Sequence, residues 1–204
     1  MIVRTLALGV LFAITAGYAG AATLLATGDS LVEGTASFDG SPGNPDLTGN
    51  IDFAVFTAAD FTALFPTSGY VPTAELVYTY QVENTGADDI TFEFIALSNP
   101  ASGISFADIG GDVAPSASFF DGGGNANFSF AGDPISQFET SQALVFSSSN
   151  LPELIGGGLT VNGGTTAVAT PIAVPGGVEI PEPNSVLIIA SAGVLAVFTR
   201  RRKI

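Results

Sequence analysis

The sequence has 204 residues with 5 Lys and Arg, 19 Asp and Glu, and no His or Cys, which gives a formal net charge of −14. All basic residues lie at the two ends, as Arg4 and residues 200–203, so the stretch between them is purely acidic. Nucleic-acid affinity depends on Lys and Arg that displace counterions from phosphates. The composition therefore excludes DNA and RNA as partners, and the length suits one domain.

The composition also removes most catalytic machinery. Without His, Cys or a Lys in the body, no Ser-His pair, Cys nucleophile or Schiff-base lysine can be assembled. Zinc bound by histidine or thiolate is excluded with them. A pair of carboxylates, as in glycosidases, is the scheme still open to an enzyme. We expect a protein that is not an enzyme.

Residues 1–21 have the organisation of a secretory signal peptide. Arg4 precedes an apolar run at residues 6–14, and the small residues Ala19 and Ala21 form a cleavage site. An uncleaved anchor helix is the alternative, but this run is short against the about 20 residues that a bilayer requires. We expect an exported protein that starts near residue 22.

Turn-forming residues divide the central part of the chain into short runs that alternate apolar and polar side chains. This pattern predicts an all-β fold, a single antiparallel β-sandwich of immunoglobulin-like or jelly-roll-like type, over residues 22–174. Fourteen Phe residues between positions 38 and 146 provide core material. Apart from residues 75–97, strands are expected at 30–38, 51–56, 104–106, 117–119, 126–130, 143–147, 159–161 and 167–174, and one short helix at 57–65.

Residues 75–97 contain the clearest strand pattern. Alternate apolar residues from Leu76 to Val82 share one face of a strand, and residues 84–88 have turn composition. Alternate residues from Ile90 to Ala96 would return on the matching face. The pattern predicts an antiparallel hairpin with an aromatic inner face.

Three acidic loops are candidate calcium sites, because hard cations prefer carboxylate and carbonyl oxygens. None matches an EF-hand or a Gly-Gly-x-Gly-x-Asp repeat, and the same residue types are those that ordinary turns require. Ca²⁺ is the one cofactor that the sequence suggests. The candidate ligands are Asp39, Asp46, Asp108, Asp112, Asp121 and Asn125.

The C-terminal part has three components in a fixed order: Pro181-Glu182-Pro183, an apolar run at residues 185–199, and Arg200-Arg201-Arg202-Lys203. Fifteen helical residues rise about 22 Å against a hydrocarbon core of about 30 Å, so we expect a short transmembrane helix. Basic residues stay on the cytoplasmic side, which leaves the body outside. Residues 175–180, rich in Pro and Gly, are expected to form a linker.

This order of components over residues 181–203 resembles the PEP-CTERM sorting signal of exopolysaccharide-producing Gram-negative bacteria. The resemblance implies recognition by a membrane-embedded exosortase, cleavage at or near Pro181-Glu182-Pro183, and transfer to the cell surface, outer membrane or extracellular matrix. It also implies a structural or adhesive role associated with exopolysaccharide or biofilm. The run Tyr78-x-Tyr80-x-Val82-x-Asn84-x-Gly86 is similar to strands of secreted PEP-CTERM proteins with immunoglobulin-like sandwich bodies.

Two other interpretations of the sequence stay open. A carbohydrate-binding or calcium-dependent adhesion module would account for the acidic loops and predicts a measurable ligand affinity. A plain single-pass membrane-anchored protein would account for the short apolar run with its basic flank, and it would keep residues 200–203 after maturation.

Overall fold

The computed structural model describes residue 25 and residues 28–122, 124–155, 158–162 and 165–179. The signal peptide, the Pro-Glu-Pro motif, the transmembrane helix and the basic residues expected from the sequence all lie outside these ranges. Within them, no helix combines the length and hydropathy needed to span a membrane.

Strands make up most of the described part of the chain, and a single short helix accompanies them, which confirms the all-β class. The predicted helix at residues 57–65 is also confirmed, as α1. The bounds are β1 (Val32–Gly40), β2 (Asn44–Thr57), α1 (Ala58–Leu64), β3 (Leu76–Asn84), β4 (Phe92–Ala96), β5 (Ser102–Ala107), β6 (Ala117–Phe120), β7 (Asn125–Ser129), β8 (Ala143–Ser148), β9 (Asn150–Ile155), β10 (Gly158–Asn162), β11 (Thr165–Ala169) and β12 (Ile172–Glu179).

Two five-stranded sheets and one two-stranded ribbon organise these strands. The first sheet has the order β1-β2-β3-β8-β5, the second has the order β11-β10-β4-β7-β6, and β9 pairs with β12. Both sheets contribute to one core, in which Tyr78, Tyr80 and Phe146 of the first sheet join Ile95 and Phe128 of the second. The body therefore consists of two layers around a shared apolar interior.

The hairpin expected at residues 75–97 is wrong. Strand β3 pairs with β2 and β8 in the first sheet, whereas β4 pairs with β7 and β10 in the second. The connection at residues 85–91 crosses between sheets and runs against β2. A Cβ atom on Gly86 would lie 2.0 Å from the carbonyl oxygen of Asp46, so this close approach requires glycine.

The inner face expected for β4 is also wrong. The prediction placed Phe92, Phe94 and Ala96 inside, but these residues are half-buried, and Glu93 and Ile95 are buried. In β3, by contrast, the predicted inward residues from Leu76 to Val82 belong to the main core.

A second, smaller apolar cluster covers part of the outer face of the first sheet. Phe61 of α1 is buried there against Phe56 of β2, with ring centroids 6.2 Å apart, and Tyr70 contacts the other side of Phe61. Thr57 caps the helix by accepting a hydrogen bond from the amide of Asp60 at 3.1 Å. Strand β3 is therefore buried on both faces.

The ribbon of β9 and β12 revises the expected C-terminal boundary of the body. Residues 175–179, expected to be part of a linker, belong to β12, and Pro175 and Glu179 among them lie opposite residues of β9. The expected strand at 167–174 is two strands, β11 and β12, which Thr170 and Pro171 separate. Of the expected linker, only Ile180 lies outside the described residues.

Two tyrosine hydroxyls attach this ribbon to the centre of the first sheet. Tyr80 donates a 2.6 Å hydrogen bond to the carbonyl of Ala173, and Tyr78 donates a 2.7 Å bond to the carbonyl of Asn150. Both tyrosines are fully buried, and burial raises the pKa of each, so the hydroxyls remain donors. Ile172 and Val174 of β12 are fully buried in the same core.

Replacing Tyr80 with Phe tests this attachment. Tyr80→Phe leaves the buried carbonyl of Ala173 without its donor, and we expect a loss of about 1–3 kcal/mol in the free energy of unfolding. Urea denaturation measures the loss. Tyr70→Phe is the matched control, because it also removes one tyrosine hydroxyl, which lies 2.7 Å from the Ser147 hydroxyl, but the Tyr70 side chain is half-buried and its hydroxyl makes no bond to the ribbon. Equal losses in the two variants would contradict the attachment.

Candidate functional site

The carboxylates of the body are held by neutral donors. No Lys, Arg or His occurs among the described residues, so hydroxyls, side-chain amides and backbone N–H groups take the place of cations. The side-chain donors are Ser30 to Glu33 (2.6 Å), Thr35 to Asp52 (2.5 Å), Asn44 to Asp88 (2.5 Å), Asn50 to Glu83 (2.9 Å), Thr57 to Asp60 (2.6 Å), Asn125 to Asp121 (2.7 Å) and Ser149 to Glu75 (2.6 Å).

Several of these bonds lie on the outer face of β1, β2 and β3 and form a polar face. Thr35 is opposite Asp52, and Asn50 lies between Ser37 and Glu83 in the strand register. Ser37 donates to Asn50 at 2.9 Å, and Asn50 donates to Glu83. Burial raises the pKa of Asp52, the Thr35 hydrogen bond opposes this shift, and the charge of Glu83 adds to it. The polar face is thus an ordered row of hydroxyl, amide and carboxylate groups.

The loops proposed for calcium have the structure of ordinary turns. Asp39, at the end of β1, accepts a 2.8 Å hydrogen bond from the amide of Ser41, and that bond lowers its pKa. Asp121 and Asn125 bond to each other across the turn between β6 and β7. These contacts use the carboxylates that a metal ion would need.

The other three candidate ligands lie in β2 and in the connection after β5. The backbone carbonyl of Asp46 accepts from the amide of Asp88 at 3.1 Å, and the amide of Asp108 donates to Ser68 at 2.8 Å. The Asp112 carboxylate accepts from the amide of Thr140 at 3.2 Å. Among the described residues, no three His, Cys, Asp or Glu side chains are grouped to hold a metal ion.

Glu93 is the one carboxylate that the fold buries among the residues whose burial the structure describes. No pattern in the sequence marked it as a candidate. It is fully buried on β4, opposite Phe128 of β7 and Thr160 of β10 in the strand register. Neither carboxylate oxygen has a hydrogen-bond partner within the described part of the chain. Burial raises its pKa well above the ordinary value of 4.5. Burial therefore favours the uncharged acid over the carboxylate in the folded protein.

The C-terminal end of β12 leads directly into the predicted sorting signal. Glu179 is the last residue of β12 and lies opposite Asn150 of β9. Pro181 is the second residue after it in the sequence. The predicted motif residues Pro181, Glu182 and Pro183, the basic residues Arg200–Lys203, and the signal-cleavage residues Ala19 and Ala21 lie outside the described residues.

These observations define a class, an acidic all-β body whose last strand is continuous with a C-terminal targeting segment. The chain carries the PEP-CTERM protein-sorting motif, whose family model matches residues 179–203. The match confirms the resemblance inferred from the sequence, and the motif implies an extracellular protein that exosortase sorts. No curated protein and no solved structure matches the chain.

The buried acid predicts an unusual dependence of stability on pH. A raised folded-state pKa means that the folded protein binds a proton that the unfolded chain releases above about pH 4.5. Stability should therefore fall as pH rises, approaching about 1.4 kcal/mol per pH unit until the folded-state pKa of Glu93 is passed. Urea denaturation at a series of pH values above about 4.5 measures this dependence, and comparison with a variant that lacks the acid separates the contribution of Glu93 from that of the other carboxylates.

Glu93→Gln and Glu93→Met should remove this slope, because neither side chain titrates. Asp52→Asn is the matched control and should leave the slope in place. A wild-type protein whose unfolding free energy changes with pH in the same way as that of Glu93→Gln would contradict a raised pKa for Glu93.

Proposed function

We propose that this chain is an exported, non-catalytic structural protein of the cell surface or extracellular matrix, which exosortase releases from the inner membrane. The observation that carries the proposal is the sorting motif at residues 179–203, which follows the folded body without an intervening domain. The body itself is a β-sandwich of immunoglobulin-like or jelly-roll-like kind. Its lack of His, Cys and Lys supports a non-catalytic role.

The sequence of events follows from the two ends. A signal peptide at residues 1–21 directs export, and the apolar run at 185–199 holds the precursor in the inner membrane with residues 200–203 inside. Exosortase then cuts at or near Pro181-Glu182-Pro183. The body, which contains no basic side chain, is transferred to the surface as a polyanion.

The chemistry of the body supports a role among hydrated polymers. A dense negative charge keeps copies apart and soluble, and it attracts divalent cations and basic surfaces. The polar face on β1, β2 and β3 presents hydroxyl, amide and carboxylate groups in fixed positions, which are groups that bond to the hydroxyls of polysaccharides. We therefore place the protein beside exopolysaccharide, with an adhesive or structural task.

Intact mass of the protein from its native host tests the proposal. The protein is recovered from the matrix and membrane fractions of two strains, one with the exosortase gene and one without it. We expect the matrix form to lack residues 1–21 and the segment beginning near Pro181, and only where the gene is present. The strain without the gene should retain the full C-terminus in its membrane fraction.

Two outcomes would contradict the proposal in different ways. A mature protein that keeps residues 200–203 in both strains would make it a plain single-pass membrane protein. Loss of the C-terminal segment in both strains would assign the cleavage to another protease. A catalytically dead exosortase in the second strain is the matched control, because it separates cleavage from mere binding.

A further inference from the structure

The last strand of the body has a firm half and a weak half. In the firm half, Ile172, Ala173 and Val174 are fully buried in the main core, and the Tyr80 hydroxyl bonds to Ala173. The weak half is Gly176–Glu179, which we call the release segment; its first residue, Gly176, is still buried against the backbone of Leu151. Strand β9 is its one partner in the sheet order.

The register of the ribbon explains why the release segment is weakly held. Pro175 lies opposite Pro152, and neither proline has an N–H group to donate across the pair. Beyond this pair the register shifts, so that Gly176 to Val178 on β12 correspond to Leu151 alone before Glu179 meets Asn150. Such a bulge leaves backbone groups of the longer strand without ladder partners. Two adjacent glycines further reduce the cost of unpairing.

The length of chain between the ribbon and the membrane is short. Five residues, 180–184, join Glu179 to the apolar run that begins at Ser185, and fully extended they span at most about 17 Å. The headgroup layer takes up roughly 5–7 Å of that length. While Glu179 is paired with β9, the body must lie against the membrane surface. Pro181 is then only two residues away from a paired residue.

A protease that cuts near Pro181 needs space that the paired ribbon occupies. One recurring mode of peptide recognition binds an extended segment through main-chain hydrogen bonds, and such binding requires a backbone that is not already paired. The residues immediately before Pro181 are Glu179 and Ile180, and the backbone of Glu179 is paired with Asn150. Freeing the four residues of the release segment adds about 14 Å of reach.

We propose that the release segment separates from β9 before exosortase cleaves the sorting motif, while residues 172–174 stay in the core and keep the body folded. This inference rests on the proposed function, because it concerns the same cleavage. The Pro175–Pro152 pair marks the limit of the separation. Cleavage is then governed by a local opening whose free energy is far below that of global unfolding.

A disulfide that ties the release segment to β9 tests the proposal. Asn150→Cys and Glu179→Cys place one cysteine at each of two cross-strand partners, in a chain that has no other cysteine. The about 4.5–5.5 Å between Cα atoms of antiparallel partners falls within the range for a disulfide. The full chain is expressed in the native host with active exosortase, and intact mass reports both the disulfide, by loss of two hydrogens, and the C-terminal segment.

We expect cleavage of the disulfide-linked protein to be slowed at least tenfold relative to wild type. Asn150→Ser with Glu179→Ser is the matched control and should be cleaved at the wild-type rate. In a second linked protein, a ten-residue Gly-Ser insertion between Ile180 and Pro181 supplies the missing reach, and cleavage should return to near the wild-type rate. This recovery also shows that the linked body is folded and exported.

Cleavage of the linked protein at the wild-type rate would overturn the release of β12 and leave the sorting proposal intact. If the insertion did not restore cleavage, the proposal would also be overturned. The disulfide would then block cleavage in some way other than by limiting the length of free chain. Wild-type protein that keeps its C-terminal segment beside active exosortase would overturn the proposed function and this inference together.

Discussion

The burial of strand β3 on both faces is the constraint on which the rest of the structure depends. Its inward side chains, Tyr78 and Tyr80 among them, fill the main core, and its outward Val77 belongs to the cluster beneath α1. The tyrosine hydroxyls then fix the ribbon by bonding to carbonyls of Asn150 and Ala173. A chain without disulfides has to hold its C-terminal strand through such packing, and here the centre of the first sheet does so directly.

The second constraint is that the described residues include no cationic side chain. The described part of the chain contains no Lys or Arg, so its carboxylates accept hydrogen bonds from hydroxyl, amide and backbone donors instead. Exposed Asp39 and half-buried Glu75 have lowered pKa values through these bonds, whereas burial raises the pKa of Glu93, which has no donor among the described residues. The polyanionic surface and the raised pKa of the core acid both occur in a body that has no cationic side chain to pair with its carboxylates.

Part of this fold is predictable from the sequence because side-chain alternation reports burial directly. The inner face of β3, the helix α1 and the all-β class follow from local pattern alone. Alternation does not identify a strand's neighbours, so β3 and β4 were wrongly predicted to pair with each other as a hairpin. In β4 the aromatic residues suggested the wrong face, since the fold turns Glu93 and Ile95 inward. No local signal marks a buried acid, which only the tertiary environment defines.

The sorting motif was predictable because its three components stand in a fixed order that composition and spacing reveal, and the family match at residues 179–203 confirms it. The ribbon of β9 and β12 was not predictable, because Pro152 and Pro175 interrupt the strand pattern and residues 175–180 have the composition of a linker. The fold nevertheless brings residues 175–179 into β12. The boundary between body and targeting segment is therefore a strand whose hold weakens toward its end.

Hydrogen exchange along β12 tests this account most directly. Mass spectrometry or NMR on the full chain would compare the amides of residues 172–174 with those of residues 176–179. The account predicts slow exchange near the global unfolding limit for the first group, which belongs to the main core, and exchange at least a hundredfold faster for the second, which follows the proline pair and the register shift. Equal protection along the whole strand would contradict a firm half and a weak half, and with them the role assigned to the ribbon.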